Sequence, residues 1–176
     1  MPLNLDDKLV IGVSSRALFD LESENEIFEK EGLAAYSEYQ LNNEKEILKP
    51  GTAFPLIKAL QNLNADEKYL TEIIIMSKNS ADTSLRIFNS IEHYGLDISR
   101  AALVGGASIS PYLPAFKTDL FLSANEADVQ EAIDANIASG IICDHSNLPI
   151  NAADDINQIR IAFDGDAVIF SDESER

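Results

Sequence analysis

Six short aliphatic runs separated by helical patterns constrain this chain more than any other feature. The runs are residues 8–13 (KLVIGV), 72–76 (EIIIM), 101–104 (AALV), 119–122 (DLFL), 140–143 (GIIC) and 159–163 (IRIAF). They are rich in β-branched and aliphatic residues without strict alternation, as expected of strands covered on both faces. Between them the spacing turns helical. Residues 81–95 set Leu85, Phe88 and Ile91 on one stripe and stop at Gly95, a natural residue just past a helix end. Residues 125–138 group Val129, Ile133 and Ile137 behind Asn125 as N-cap, and residues 51–64 carry Leu56, Leu60 and Leu63 after Pro50-Gly51. Strands alternating with helices predict an α/β fold, a mostly parallel Rossmann-like sheet wrapped on both sides. Such sheets bind ligands beyond the carboxyl ends of their strands. The residues to follow are therefore Ser14, Ser77, Gly105, Ser123 and Asp164.

One segment breaks the rhythm. Residues 20–49 (DLESENEIFEKEGLAAYSEYQLNNEKEILK) read as one or two charged helices interrupted at Gly32. That is long for a strand-to-helix connection and predicts a small helical cap over the strand ends. Tyr36 and Tyr39, three apart on this insert, suit either helix packing or stacking on a ring.

Charge narrows the partners. Thirteen Lys and Arg against 30 Asp and Glu give a net charge of −17, a field that repels DNA, RNA and anionic lipid surfaces. A small phosphorylated substrate remains compatible if metal ions or local donors neutralise it. A single cysteine, Cys143, excludes an intrachain disulfide and favours a reducing cytoplasm. The start lacks the basic and apolar regions of a signal peptide, and no apolar run is long enough to span a bilayer.

The first strand has a sibling near the end of the chain. Residues 11–24 read IGVSSRALFDLESE and residues 161–175 read IAFDGDAVIFSDESE. With one extra residue in the second copy, both run from an apolar strand through three special residues to Ala, Phe and Glu-Ser-Glu. Ser14-Ser15-Arg16 then stand opposite Asp164-Gly165-Asp166. Taken alone, Asp-Gly between apolar runs suits a hairpin turn as well as an active site. Ser-Ser-Arg is poor turn chemistry, so the repeat favours a strand end presenting two carboxylates.

An Asp-x-Asp after a strand resembles the first motif of the haloacid-dehalogenase-like phosphatases. Ser77 stands where that superfamily has a strand ending in Ser or Thr, and Lys117 stands where a phosphate-binding Lys occurs. The stretches VSSRALFD, YSEYQLNNE, LKPG, IFNSIEHYGLDISRA, YLPAFKTDLFLSAN and FDGDAVIFSDESE are similar, in order, to the cytosolic 5′-nucleotidase I family. The resemblance implies a haloacid-dehalogenase-type sheet with the cap at about 20–49. It also implies Mg²⁺-dependent hydrolysis of nucleoside 5′-monophosphates through an aspartyl-phosphate. Asp164 would be the nucleophile and Asp166 the acid/base; both would hold Mg²⁺, with Ser77 and Lys117 as phosphate contacts. Such carboxylates must hold different protonation states to divide the work.

The family's later acidic motif has no match here, because Ser123 and Asn125 occupy its place in the first unit. By resemblance, residues 1–158 are a degenerate α/β unit, and residues 159–176 open a second, truncated one. The expected partner is a nucleoside 5′-monophosphate, with no nucleic acid and no membrane. A homo-oligomer and a missing carboxyl-terminal half both stay open, as do two other activities: a phosphatase of other small phosphomonoesters, and a noncatalytic scaffolding or regulatory half. His93 and His145 show no metal-ligand spacing, and residues 103–108 (LVGGAS) read as a turn.

Overall fold

Five strands form one sheet in the order β3-β2-β1-β4-β5, with every pairing parallel. They are β1 (Leu9–Ser14), β2 (Thr71–Ser77), β3 (Arg100–Leu103), β4 (Leu120–Ser123) and β5 (Ala138–Ile141). The computed structural model describes residues 5, 7–64, 69–143, 159 and 162. The sixth expected strand, residues 159–163, lies mostly outside the described residues.

Both faces of the sheet are covered, which explains the aliphatic runs. Along β1 and β2, Ile11, Val13, Ile73 and Ile75 enter one core cluster, while Val10, Ile74 and Met76 enter the other. The first cluster is closed by α4 (Phe54–Gln61) through Phe54 and Ile57, and by α5 (Leu85–His93) through Ile87 and Ile91. The second is closed by Leu113 of α6 (Tyr112–Ala115) and Ala132 of α7 (Glu126–Asp134). With polar or short side chains at these positions one face would be wet, and a parallel sheet cannot afford that.

The connection after β1 is the long one. It begins with the single turn α1 (Ser15–Leu18), then runs through α2 (Glu22–Glu31) and α3 (Leu33–Asn42) before returning to α4. Gly32 separates α2 from α3 at φ +86°, a backbone region that side chains disfavour. The insert leaves and re-enters through a narrow neck. Asp20 N donates to Lys49 O at 2.9 Å, Gly51 N to Leu18 O at 2.8 Å, and Phe19 bridges Pro50.

Helix ends follow their sequence signals. Asn125 caps α7 by accepting from Asp128 N at 3.1 Å. Gly95 at φ +60° closes α5 with Gly95 N bonded to Glu92 O and Leu96 N to Ile91 O, the paired bonds of a Schellman motif. Asn136, also at φ +60°, ends α7 in the same way. That stop releases Ile137 from the helix and starts β5 two residues earlier than the aliphatic run suggested.

Three helical stripes differ from expectation. In α5, Leu85 and Phe88 are largely exposed, and the buried face is Ile87, Ser90 and Ile91. In α7, Ile133 is exposed while Ala132 is buried. Leu63 falls beyond the end of α4 and is exposed.

Candidate functional site

The sheet reverses its winding between β1 and β4, the place where open α/β sheets form a ligand crevice. A cavity of about 710 Å³ opens there, at the carboxyl ends of the strands. Ser14 ends β1, Ser77 ends β2 and Ser123 ends β4, and all three line it. Each hydroxyl is set by a backbone amide just downstream. Ser14 Oγ accepts from Ala17 N at 3.2 Å, Ser77 Oγ from Asn79 N at 3.2 Å, and Ser123 Oγ from Asn125 N at 3.1 Å. Ser15 Oγ and Ser77 Oγ also share a bond of 3.0 Å, which ties the ends of β1 and β2 together.

Gly105 and Gly106 complete the floor from the loop after β3. Gly105 N donates to Asn79 O at 3.1 Å and Gly106 N to Lys78 O at 2.7 Å. Both glycines have positive φ, so the LVGGAS stretch is a turn as read, but a turn that lines the cavity.

The insert roofs the cavity. Phe28 of α2 and Tyr36 of α3 meet edge to face with ring centroids 6.0 Å apart, and both line it with Ser14 and Ser77. Burial pushes the Tyr36 phenol above its ordinary pKa, while the bond it receives from Gln40 Nε2 at 2.9 Å works the other way. Tyr39 faces elsewhere, with the Arg86 guanidinium 5.9 Å from its ring.

The charges around the cavity are mostly matched. Lys78 Nζ lies 2.5 Å from Asp128 Oδ1. Arg16 grips Glu22 through both carboxylate oxygens at 3.0–3.1 Å. Glu24 is bonded to Arg86. Asp82 sits on the rim, fully exposed, where hydrogen bonds from Ser80 and nearby backbone hold its carboxyl below the usual range.

Of the sequence-predicted residues, Ser77 is at the cavity. Lys117 is not: it precedes β4 at the amino end of the sheet, opposite the cavity, with φ +56°. Asp164 and Asp166 lie outside the described residues. Lys78, Asn79, Asp128 and Phe28 were not singled out from sequence; position directly after a strand was the available signal for Lys78 and Asn79.

The described cavity does not suit a hard divalent cation. Hydroxyls stand at its strand ends, and the Glu24 and Asp128 carboxylates are each held by a cation. Among the described residues no group of three or more His, Cys, Asp or Glu could hold a metal ion. Nor, among them, is any helix long and apolar enough to cross a membrane.

Comparison with known proteins identifies the family of the sequence. The sequence pattern of the 5′-nucleotidase family matches residues 1–176. Human cytosolic 5′-nucleotidase 1B is 46% identical over 174 residues, a match covering 95% of this chain and 28% of that protein. The chain therefore spans well under a third of its relative's length. No solved structure gives a significant match. With a parallel α/β sheet, a capped crevice at its carboxyl edge and this identity along nearly the whole sequence, the chain belongs to the cytosolic 5′-nucleotidase I family.

Proposed function

We propose that this chain contributes the nucleophile-bearing strand of a Mg²⁺-dependent 5′-nucleotidase acting on nucleoside 5′-monophosphates in the cytoplasm. The observation that carries the reading is the behaviour of the first copy of the repeat. Ser14-Ser15-Arg16 form a strand-to-helix turn at a ligand cavity, not a hairpin. The sibling Asp164-Gly165-Asp166 shares that sequence pattern, which supports reading it as two carboxylates at a strand end and not as a hairpin turn.

The chemistry follows from those two groups. Asp164, ionised, attacks phosphorus and forms an acyl-phosphate bond as the bond to the 5′-oxygen breaks. Asp166, protonated, gives its proton to the departing 5′-oxygen, which leaves as the nucleoside. Asp166 then takes a proton from water as that water attacks phosphorus, releasing phosphate and restoring Asp164. Hard carboxylate oxygens at 164 and 166 suit Mg²⁺, which when bound would offset charge on the phosphate oxygens. The first unit, with serines where acids would be needed, serves as a noncatalytic partner to that site.

The test is phosphate release from AMP by a protein carrying this chain at the full length of its relatives. Asp164→Asn keeps the shape and removes the nucleophile, so turnover should fall by roughly 10³-fold or more. Asp166→Asn should slow poor leaving groups most. Near wild-type turnover by Asp164→Asn would overturn the assignment.

A further inference from the structure

The cavity over the first sheet has donors in excess and no cation to spare. Ser14 and Ser123 are 7% and 1% exposed, and each uses its oxygen to accept a backbone amide. Neither O–H has an acceptor among the described residues. Two buried hydroxyl hydrogens on neighbouring strands, facing a cavity, call for an acceptor from a ligand. Asn125 adds a third donor at the rim, because its oxygen is taken by Asp128 N and leaves the amide hydrogens outward.

Charge decides which acceptor fits. The cations facing the cavity, Arg16 and Lys78, are each paired with a carboxylate, and the unpaired rim charge is the Asp82 carboxylate. A phosphate entering here would have to draw Arg16 or Lys78 away from its carboxylate, and would meet a protein of net charge −17. An uncharged ligand avoids both costs. On the roof, Phe28 and Tyr36 offer aromatic surface, and Leu21, Met76 and Ile109 supply apolar wall.

We propose that this cavity binds an uncharged nucleoside and holds it without reaction, its ring against Phe28 and Tyr36 and its hydroxyls or ring acceptors toward Ser14 and Ser123. The uncharged, ring-bearing class comes from the cavity. The choice of a nucleoside within that class rests on the 5′-nucleotidase reading, whose product a nucleoside would be. No carboxylate stands at Ser14 or Ser123, so the bound molecule meets no nucleophile of the Asp164 kind.

Calorimetric titration of the purified 176-residue chain with adenosine, AMP and inorganic phosphate, without Mg²⁺ so that the Asp164 site neither holds nor turns over AMP, tests this. Adenosine should bind saturably, AMP about tenfold or more weaker, and phosphate not at all. Ser123→Ala should weaken adenosine about tenfold by removing one buried donor. Phe28→Ala should weaken it too, and because that ring is 47% exposed the variant keeps its sheet intact. Asp164→Asn should leave the adenosine titration unchanged, whatever it does to phosphate release, so this proposal and the catalytic one fail separately. No adenosine binding up to millimolar concentration would overturn the site. So would tighter binding of AMP or phosphate, or affinity indifferent to both cavity variants, or affinity lost in Asp164→Asn alone.

Discussion

At Lys117 the backbone carries a cost of its own. Its φ of +56° puts a non-glycine residue in the left-handed region, just past the end of α6. Lys117 N donates to Pro114 O at 3.0 Å and Thr118 N to Leu113 O at 2.9 Å, so this residue occupies the position where such helix ends prefer glycine. A lysine there carries a steric cost on the order of 1 kcal/mol. Lys117→Gly should therefore raise unfolding free energy by up to about 1 kcal/mol, partly offset by glycine's greater freedom in the unfolded chain. Urea denaturation would read the change directly, and a loss of stability would show that the lysine side chain contributes more than its backbone costs. By contrast Ser14, Ser77 and Ser123 act through their side chains, each fixed by an amide and presented at a strand end. Same sheet, opposite ends, different physics.

Between elements, the cap is held to the body by α5. Glu24 on α2 and Arg86 on α5 form an ion pair with side chains 6% and 10% exposed. Arg86 Nε also donates to Glu46 O at 2.8 Å, Asn89 Nδ2 to Glu44 O at 2.7 Å, and Leu48 N to Ser90 Oγ at 2.9 Å. One face of α5 thus serves the returning limb of the insert. Glu24→Ala strands a buried guanidinium and should cost about 3 kcal/mol, whereas Glu24→Leu with Arg86→Met should recover most of it. Thermal and urea melts of the single and double variants would check both. A double variant no better than the single would mean that Arg86 is held mainly by the Glu46 carbonyl.

The same face shows why some of the fold was legible in sequence and some was not. The five described strands fell within two residues of expectation because a strand covered on both faces is largely aliphatic. The α5 stripe did not, because apolar residues at 85, 87, 88 and 91 permit two registers. The deciding residues, Arg86 and Ser90, are polar and buried, and their partners Glu24 and Leu48 lie 62 and 42 positions away. The cavity serines were legible as strand ends. Phe28 and Asp128 were not, since their place depends on how the cap and α7 pack.

For the molecule as a whole, the proposed boundary near residue 158 makes the strongest demand. Among the described residues, every strand and both core clusters are built from residues before Cys143, with Ile159 as one partly buried addition to the first cluster. The neck at Phe19 and Pro50, backed by Phe19, Phe54 and Tyr94 with ring centroids 5.0–6.3 Å apart, also closes within that span. A unit whose sheet is covered on both faces by its own helices carries its own core and should fold alone. Residues 1–158 should therefore melt in a single cooperative transition, displaced modestly by loss of the Ile159 contact. They should keep the adenosine titration, because the residues argued to hold that ligand are all present, and should release no phosphate from AMP, because Asp164 and Asp166 are not. A broad, uncooperative melt would show that the stability of the first sheet depends on residues 159–176 and would remove the boundary. Cooperative melting with phosphate release retained would instead move the chemistry from the Asp-Gly-Asp motif to the first cavity.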